Sequence, residues 1–333
     1  MPSPLNRLGG ALSSPWRLPL LVSGLAVVVL AVAASAGTPE GAIQSAAASG
    51  PASALPWYVW TLILFGTSLL IGLVGVMAGS GGGVLFVPIL MGFFPFHADF
   101  VRGAGILVAL CSGLSAGPRF LRSGLVSLRL ALPAALVASA FSLGGVALGF
   151  ALPVSVVQVA LGVVILGVVG VMILTRGGDY PNTEAPDAVA ELLNIERSYI
   201  EPSTGETVTW RIRHAAWGLI SFGFVGLVAG MFGMGAGWAN VPVLNLVMGV
   251  PLKVAVAVSV FTLSTTAMTA AWSYLHHGAV LPIIVVPSLV GVMLGSRLGA
   301  KVLTRMEPGL LRYVVIGVLL LAGLRAMGKG LGV

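Results

Sequence analysis

The sequence predicts an all-α polytopic membrane protein: two inverted repeats of about five membrane segments each, broken helices at two glycine-rich motifs, and an N-terminal signal or extra helix. Three observations carry this. Of 333 residues, 57% are hydrophobic and 8% charged, and the mean hydropathy is +1.05, which excludes an ordinary soluble domain. A nineteen-residue glycine-rich stretch at 72–90 recurs 154 residues later at 226–244. Lysines and arginines gather beside apolar runs, where topology signals are expected.

The first element is an apolar run at 18–34, preceded by Arg7 and Arg17 and followed by a small-residue Ala34-Ser35-Ala36 triplet. It reads equally as a cleaved signal peptide or a retained helix. Residues 1–56 therefore form an N-terminal apolar segment and an extracytoplasmic linker. Apolar runs long enough to cross a bilayer, about 20 residues, follow at 57–78, 128–150, 153–174, 215–234, 254–275, 280–302 and 310–326. A shorter run at 101–117 qualifies if its ends snorkel. Membrane repeat 1 is assigned to 57–175 and membrane repeat 2 to 214–333.

Between them, 176–213 is a hydrophilic cytoplasmic insert holding seven of the ten acids of the chain. Residues 186–195 carry a helix-start pattern. Residues 199–212, with PSTGE at 202–206 between alternating residues, read as a small hairpin. A solvated loop joining two membrane halves is the expected role.

Ten of the nineteen aligned positions of the glycine stretch are identical, including Gly79/Gly233, Gly81/Gly235, Gly83/Gly237 and Pro88/Pro242. The same offset pairs Phe120 with Tyr274 and Pro133 with Pro287. Each half then contains a long span, a short apolar piece and three further spans. If the short piece counts as a crossing, each half has an odd number and the halves are inverted; if it only dips in, they are parallel. Charge arbitrates for inversion: with the N-terminus inside, Arg119, Arg122, Arg129, Arg176, Arg211, Arg213, Lys253, Arg297, Lys301 and Arg305 fall on the cytoplasmic side. Arg102, Arg325 and Lys329 fall outside.

The glycine stretch is no nucleotide loop, because no lysine follows Gly83 or Gly237 and position 84 is valine. A packing seam of small residues remains open. Against packing alone stands the helix penalty of roughly 1 kcal/mol per glycine, incurred at matching positions of both halves. In a bilayer such an interruption survives only where it is buried in protein or lines a wet cavity. Helices that restart there expose N–H groups and a positive dipole end, which attract anions. Outside the insert only Glu40, Asp99 and Glu307 remain as acids, so a cation site with a carboxylate at depth is excluded. The single cysteine, Cys111, excludes an internal disulfide or a thiolate metal site and reads as a small buried residue. No metal and no cofactor are expected.

The paired GSGGGVLFVP at 79–88 and GMGAGWANVP at 233–242 resemble the two signature regions of the TauE/SafE family of sulfite and organosulfur anion exporters. The resemblance spans roughly 57–174 and 215–327. It implies an integral inner-membrane exporter of small sulfur oxyanions or related organic anions. Members often carry a Thr-Ser pair early in the next helix; the second half keeps Ser259 after Val258, whereas the first has Ala104-Gly105.

The candidate substrate-binding residues are Gly79, Ser80, Gly81, Gly82, Gly83, Gly233, Gly235, Gly237, Asn240, Ser259, Thr262 and Ser112. Ser80 and Asn240 are polar groups at expected helix breaks. Ser259, Thr262 and Thr266 share one helix face, and Ser112 aligns with Thr266; bonding of such hydroxyls to their own backbone weighs equally with ligand contact. Arg102 and Lys253 read as snorkelling side chains at span ends, His276 and His277 as surface residues, and Trp238 as core packing. The expected function is secondary transport of a small inorganic or organic sulfur anion such as sulfite, thiosulfate or an organosulfonate. The alternatives are a passive anion channel and, with neither a Gly-x-Ser-x-Gly elbow nor a metal motif to support it, an intramembrane serine hydrolase. The lipid bilayer and a second copy in a homodimer are the partners considered, and nucleic acid is not one.

Overall fold

The computed structural model describes residues 56–77, 82–122, 125–174, 196–200, 207–212, 214–303 and 308–332. The N-terminal run, the helix start at 186–195, and Gly79, Ser80 and Gly81 lie outside the described residues. In chain order the elements are α1 (Trp57–Met77), α2 (Gly83–Phe93), α3 (Ala98–Arg122), α4 (Leu128–Ala151), α5 (Val154–Leu174), β1 (Glu196–Ile200), β2 (Thr207–Arg211), α6 (Ala215–Phe232), α7 (Gly237–Pro242) running into a π turn (Val243–Val247), α8 (Leu252–His276), α9 (Pro282–Leu303) and α10 (Pro308–Leu331). Proline begins α9 and α10, where its missing N–H is no loss. Gly233 ends α6 in the left-handed conformation that only glycine adopts freely.

Among the described residues four helices are long and apolar enough to cross a membrane, with spans at Ala98–Ser115, Leu128–Ala151, Ala215–Phe232 and Leu252–His276. Shorter apolar stretches lie at Tyr58–Val74, Gly83–Phe93, Val154–Gly170 and Pro282–Leu298. Outward-facing Leu62, Leu136, Trp217, Phe224, Met268 and Trp272 are more than half exposed, as lipid contact requires of a helix surface.

Small residues set the helix pairs. α1 packs on α9, α4 on α6, α5 on α10, and α8 on both α3 and α4. A Cβ on Gly72 would stand 2.5 Å from the Val292 carbonyl oxygen of α9, and one on Gly226 would overlap the Ala138 carbonyl of α4. These equivalent glycines are therefore packing glycines, each seated on a helix of the other half. Gly291 against Phe65 and Gly162 against Gly323 repeat the device.

Side-chain contacts fix the helix directions. Near the start of α3, Arg102 bonds the Gly149 carbonyl at the end of α4, and Phe150 stacks on His277 just past the end of α8 at 4.5 Å. α3 is thus antiparallel to α4 and α8. After its glycines, α2 returns toward the start of α1, where the rings of Phe94 and Phe96 lie 6.3 and 5.3 Å from Trp60. The π turn after α7 returns to the start of α6, where Gly218 abuts Met248.

The hairpin pairs Glu196 with Arg211 through Ile200 with Thr207, beginning three residues before the expected start at 199. Its second strand is no solvated loop. Trp210 and Ile212 are 2% and 1% exposed and join Val126, Leu130, Leu244, Met248 and Val254 in one core cluster. Strand alternation explains this, since Trp210 and Ile212, two residues apart, share one face. The molecule accordingly has a hairpin end and, opposite it, a histidine end with His97, His276 and His277.

Candidate substrate-binding site

The second glycine segment is a built break. Gly233 has φ 67° and Gly235 φ 75°, and between Phe232 and Gly237 the chain leaves the helix. α7 then restarts, with the Ala239 and Asn240 N–H groups donating to the Ala236 carbonyl. Pro242 has no N–H to give, and the ladder widens behind it: Met248 donates to the Val243 carbonyl five residues back, and Asn245 Nδ2 donates to the Val250 carbonyl at 2.9 Å.

The two segments meet over the middle of α3. A Cβ on Gly83 would lie 2.5 Å from the Met234 carbonyl oxygen and 2.8 Å from the Ala109 side chain. One on Gly235 would lie 2.7 Å from both Ala109 and Leu263, residues at the midpoints of α3 and α8. Gly82 packs against Val292 and Val108. Of the expected site residues, the structure thus brings together Gly82, Gly83, Gly233, Gly235 and Gly237, all buried.

Several buried polar groups of α7 and α8 have no protein partner. Asn240 is 0% exposed, and neither its amide nitrogen nor its oxygen has a hydrogen bond. Thr262 and Thr266, one turn apart on α8, are also 0% exposed with unpartnered hydroxyls. Trp238 Nε1, on α7, is in the same condition. Ser259 is 3% exposed on the same face of α8. Each buried polar group left without a bond costs about 1–3 kcal/mol, so each of these groups calls for an explanation. Single hydroxyls on other helices, Ser68, Ser139 and Ser296, share the condition.

Other hydroxyls take the local option. Ser264 bonds the Val260 carbonyl at 2.8 Å, Thr265 the Phe261 carbonyl at 3.1 Å and Ser112 the Ala109 carbonyl at 2.8 Å. Backbone bonding therefore wins for Ser112 and Thr265, and not for Thr262 and Thr266. Trp238, half-buried, packs against two core clusters as expected, with its indole N–H left without a partner.

One basic residue differs from expectation. Arg102 does not snorkel: it is 1% exposed and donates to the Gly149 and Met231 carbonyls at 2.9 and 3.0 Å. Lys253 is exposed in the first turn of α8. His276 and His277 are exposed at the histidine end, His277 stacking on Phe150. The reach of Arg102 across the fold had one sequence signal: the repeat aligns it with Val256, and Tyr274 with Phe120.

A model of the sulfite exporter TauE/SafE family matches residues 64–326. The chain belongs to the TauE/SafE family. Probable membrane transporter protein YunE of Bacillus subtilis (strain 168) is 24% identical over 277 residues, covering 81% of this chain and 98% of that protein. No solved structure matches. The TauE/SafE family is one of membrane transporters, so the protein is a multi-pass membrane transport protein and not an enzyme.

Proposed function

We propose that the protein is a secondary transporter that exports a small sulfur-containing anion, such as sulfite, thiosulfate or an organosulfonate, across the inner (plasma) membrane. The site lies between the two glycine segments, and access alternates as two inverted repeats move against each other. The observation that carries this reading is the fully buried, unpartnered Asn240 amide on α7, the helix that restarts after the second glycine segment. With the Thr262 and Thr266 hydroxyls it offers hydrogen-bond donors to a small oxyanion, and the first turn of α2 adds unspent N–H groups.

Inversion draws support from the element bounds and directions. Shifting α3 by 154 residues superimposes its limits on those of α8, and 83–93 falls on 237–247. Since α3 and α8 are antiparallel, the ends of α2 and of the π turn, next to their respective starts, point to opposite ends of the bundle. Placing the hairpin end in the cytoplasm agrees with the distribution of arginines.

Proteoliposomes loaded with labelled sulfite or thiosulfate test the proposal. Saturable flux that falls at least tenfold in N240A is the expected result. Absence of flux with every small sulfur anion refutes it.

A further inference from the structure

Among the described residues Arg102 is the one fully buried charge. Its guanidinium ties three elements together. Nη1 donates to the carbonyls of Gly149, at the end of α4, and Met231, at the end of α6. Nη2 pairs with Asp99 in the first turn of α3, and the guanidinium carbon lies 5.2 Å over the Phe150 ring. From α8, Tyr274 Oη donates to the Gly230 carbonyl at 2.8 Å and reaches the Met231 carbonyl at 3.3 Å.

The carbonyls so held are a particular pair. α6 stops at Phe232, so Gly230 and Met231 are among its last residues, whose carbonyls have no partner further along the helix. A cation there also complements the negative end of the helix dipole. The seat is tight: a Cβ on Gly149 would stand 2.6 Å from Nη1, and one on Gly233 would overlap the backbone carbonyl of Arg102 itself. Both terminal nitrogens are taken by protein oxygens, two carbonyls on Nη1 and a carboxylate on Nη2, and Nε alone is left without a partner, so the fork of the guanidinium is committed to holding the ends of α4 and α6.

We propose that Arg102 is a positioning residue for the ligand site: by gripping the end of α6 it fixes the two left-handed glycines and, through them, the Asn240 amide on α7. Tyr274 is its auxiliary. The device exists in one half only, because the aligned residues Val256 and Phe120 have no polar atom to grip the end of α1. The proposal rests on the transport reading for the identity of the ligand, and on geometry alone for the grip.

Two measurements on the full chain separate these dependencies. Labelled-sulfite flux is fitted for KM and Vmax in R102Q, R102K and Y274F, and hydrogen exchange is followed in detergent without ligand. When the binding-competent arrangement is held only part of the time, apparent affinity falls by that fraction. R102Q therefore raises KM about tenfold, the equivalent of one charge-assisted hydrogen bond, with Vmax within about threefold. Exchange at 230–242 accelerates about tenfold while α1 and α9 stay unchanged. R102K, which keeps the charge without the fork, falls between, and Y274F moves both readouts the same way by less. Unchanged KM and exchange in R102Q overturn the proposal, as does acceleration spread evenly over all helices. Should R102Q fail to fold, absence of any local change in both R102K and Y274F overturns it equally. A parent protein that moves no anion while R102Q still loosens 230–242 sinks the transport reading and upholds the grip.

Discussion

The two glycine segments share ten of nineteen residues and yet are held by different physics. In the second, the break itself is gripped, by Arg102 and Tyr274 on the carbonyls that end α6. In the first, the hold lies at the far end of α2: Arg325 Nε donates to the Gly92 carbonyl at 2.9 Å and Lys329 Nζ to the Met91 carbonyl at 3.1 Å. The buried residues differ as well, since Asn240 aligns with Phe86, and both are 0% exposed. Identical positions encode the break and the close packing; the positions that diverged carry the clamps and the polar atoms.

The most severe way to break this comparison is G235V. It forces a β-branched residue into φ 75° with a Cβ 2.7 Å from Ala109 and Leu263, at a cost of roughly 3–5 kcal/mol. Little folded protein in detergent is expected, and a normal melting temperature would contradict the packing described. W210A follows at about 3 kcal/mol. It empties the hairpin face that supports the π turn, so exchange should quicken at 243–250 and leave α2 alone. Equal quickening of both segments would show that the hairpin does not discriminate between them.

N240L sharpens the comparison in the opposite direction. Removing an unpartnered buried amide should stabilise the apoprotein by about 1–2 kcal/mol while flux is lost. A destabilised N240L would mean that the amide has protein partners and is not a ligand group. R325Q weakens one cation at the end of α2 by about 1 kcal/mol, seen as a lower melting temperature that high salt reproduces in the parent. Smallest of all, T265V should shift stability by less than about 0.5 kcal/mol and spare flux, because Thr265 bonds its own helix; a flux defect there would redraw the site.

Much of the scaffold was legible from hydropathy and glycine spacing. The helices, the short segment after each glycine cluster and the hairpin need only local periodicity and a run of apolar residues, which report burial without reporting neighbours. Part of the site was legible too, since Asn240 and Thr262 are polar residues in apolar surroundings. Thr262 and Thr265 could not be told apart in the sequence, because each can turn its hydroxyl to the carbonyl four residues back. Arg102 misled for a related reason. A basic residue near the end of an apolar run snorkels by default, and only the arrival of α4 and α6 beside it supplies the carbonyls that make burial tolerable.

By itself the sequence determined a membrane body of helices in duplicate, a site without carboxylates at depth, and glycines wherever the chain had to turn or approach closely, because composition and repetition are properties of the chain. Only the tertiary structure decided which of those glycines pack helices, as Gly72 and Gly226 do, and which meet across the site, as Gly83 and Gly235 do. It alone decided that the end of α6, just before the second break, is gripped by a guanidinium. The physical reason is the same in each case: a hydrogen bond, a steric contact or an unpartnered amide is a relation between residues far apart in the chain, and its worth exists only once both partners have been brought to the same place.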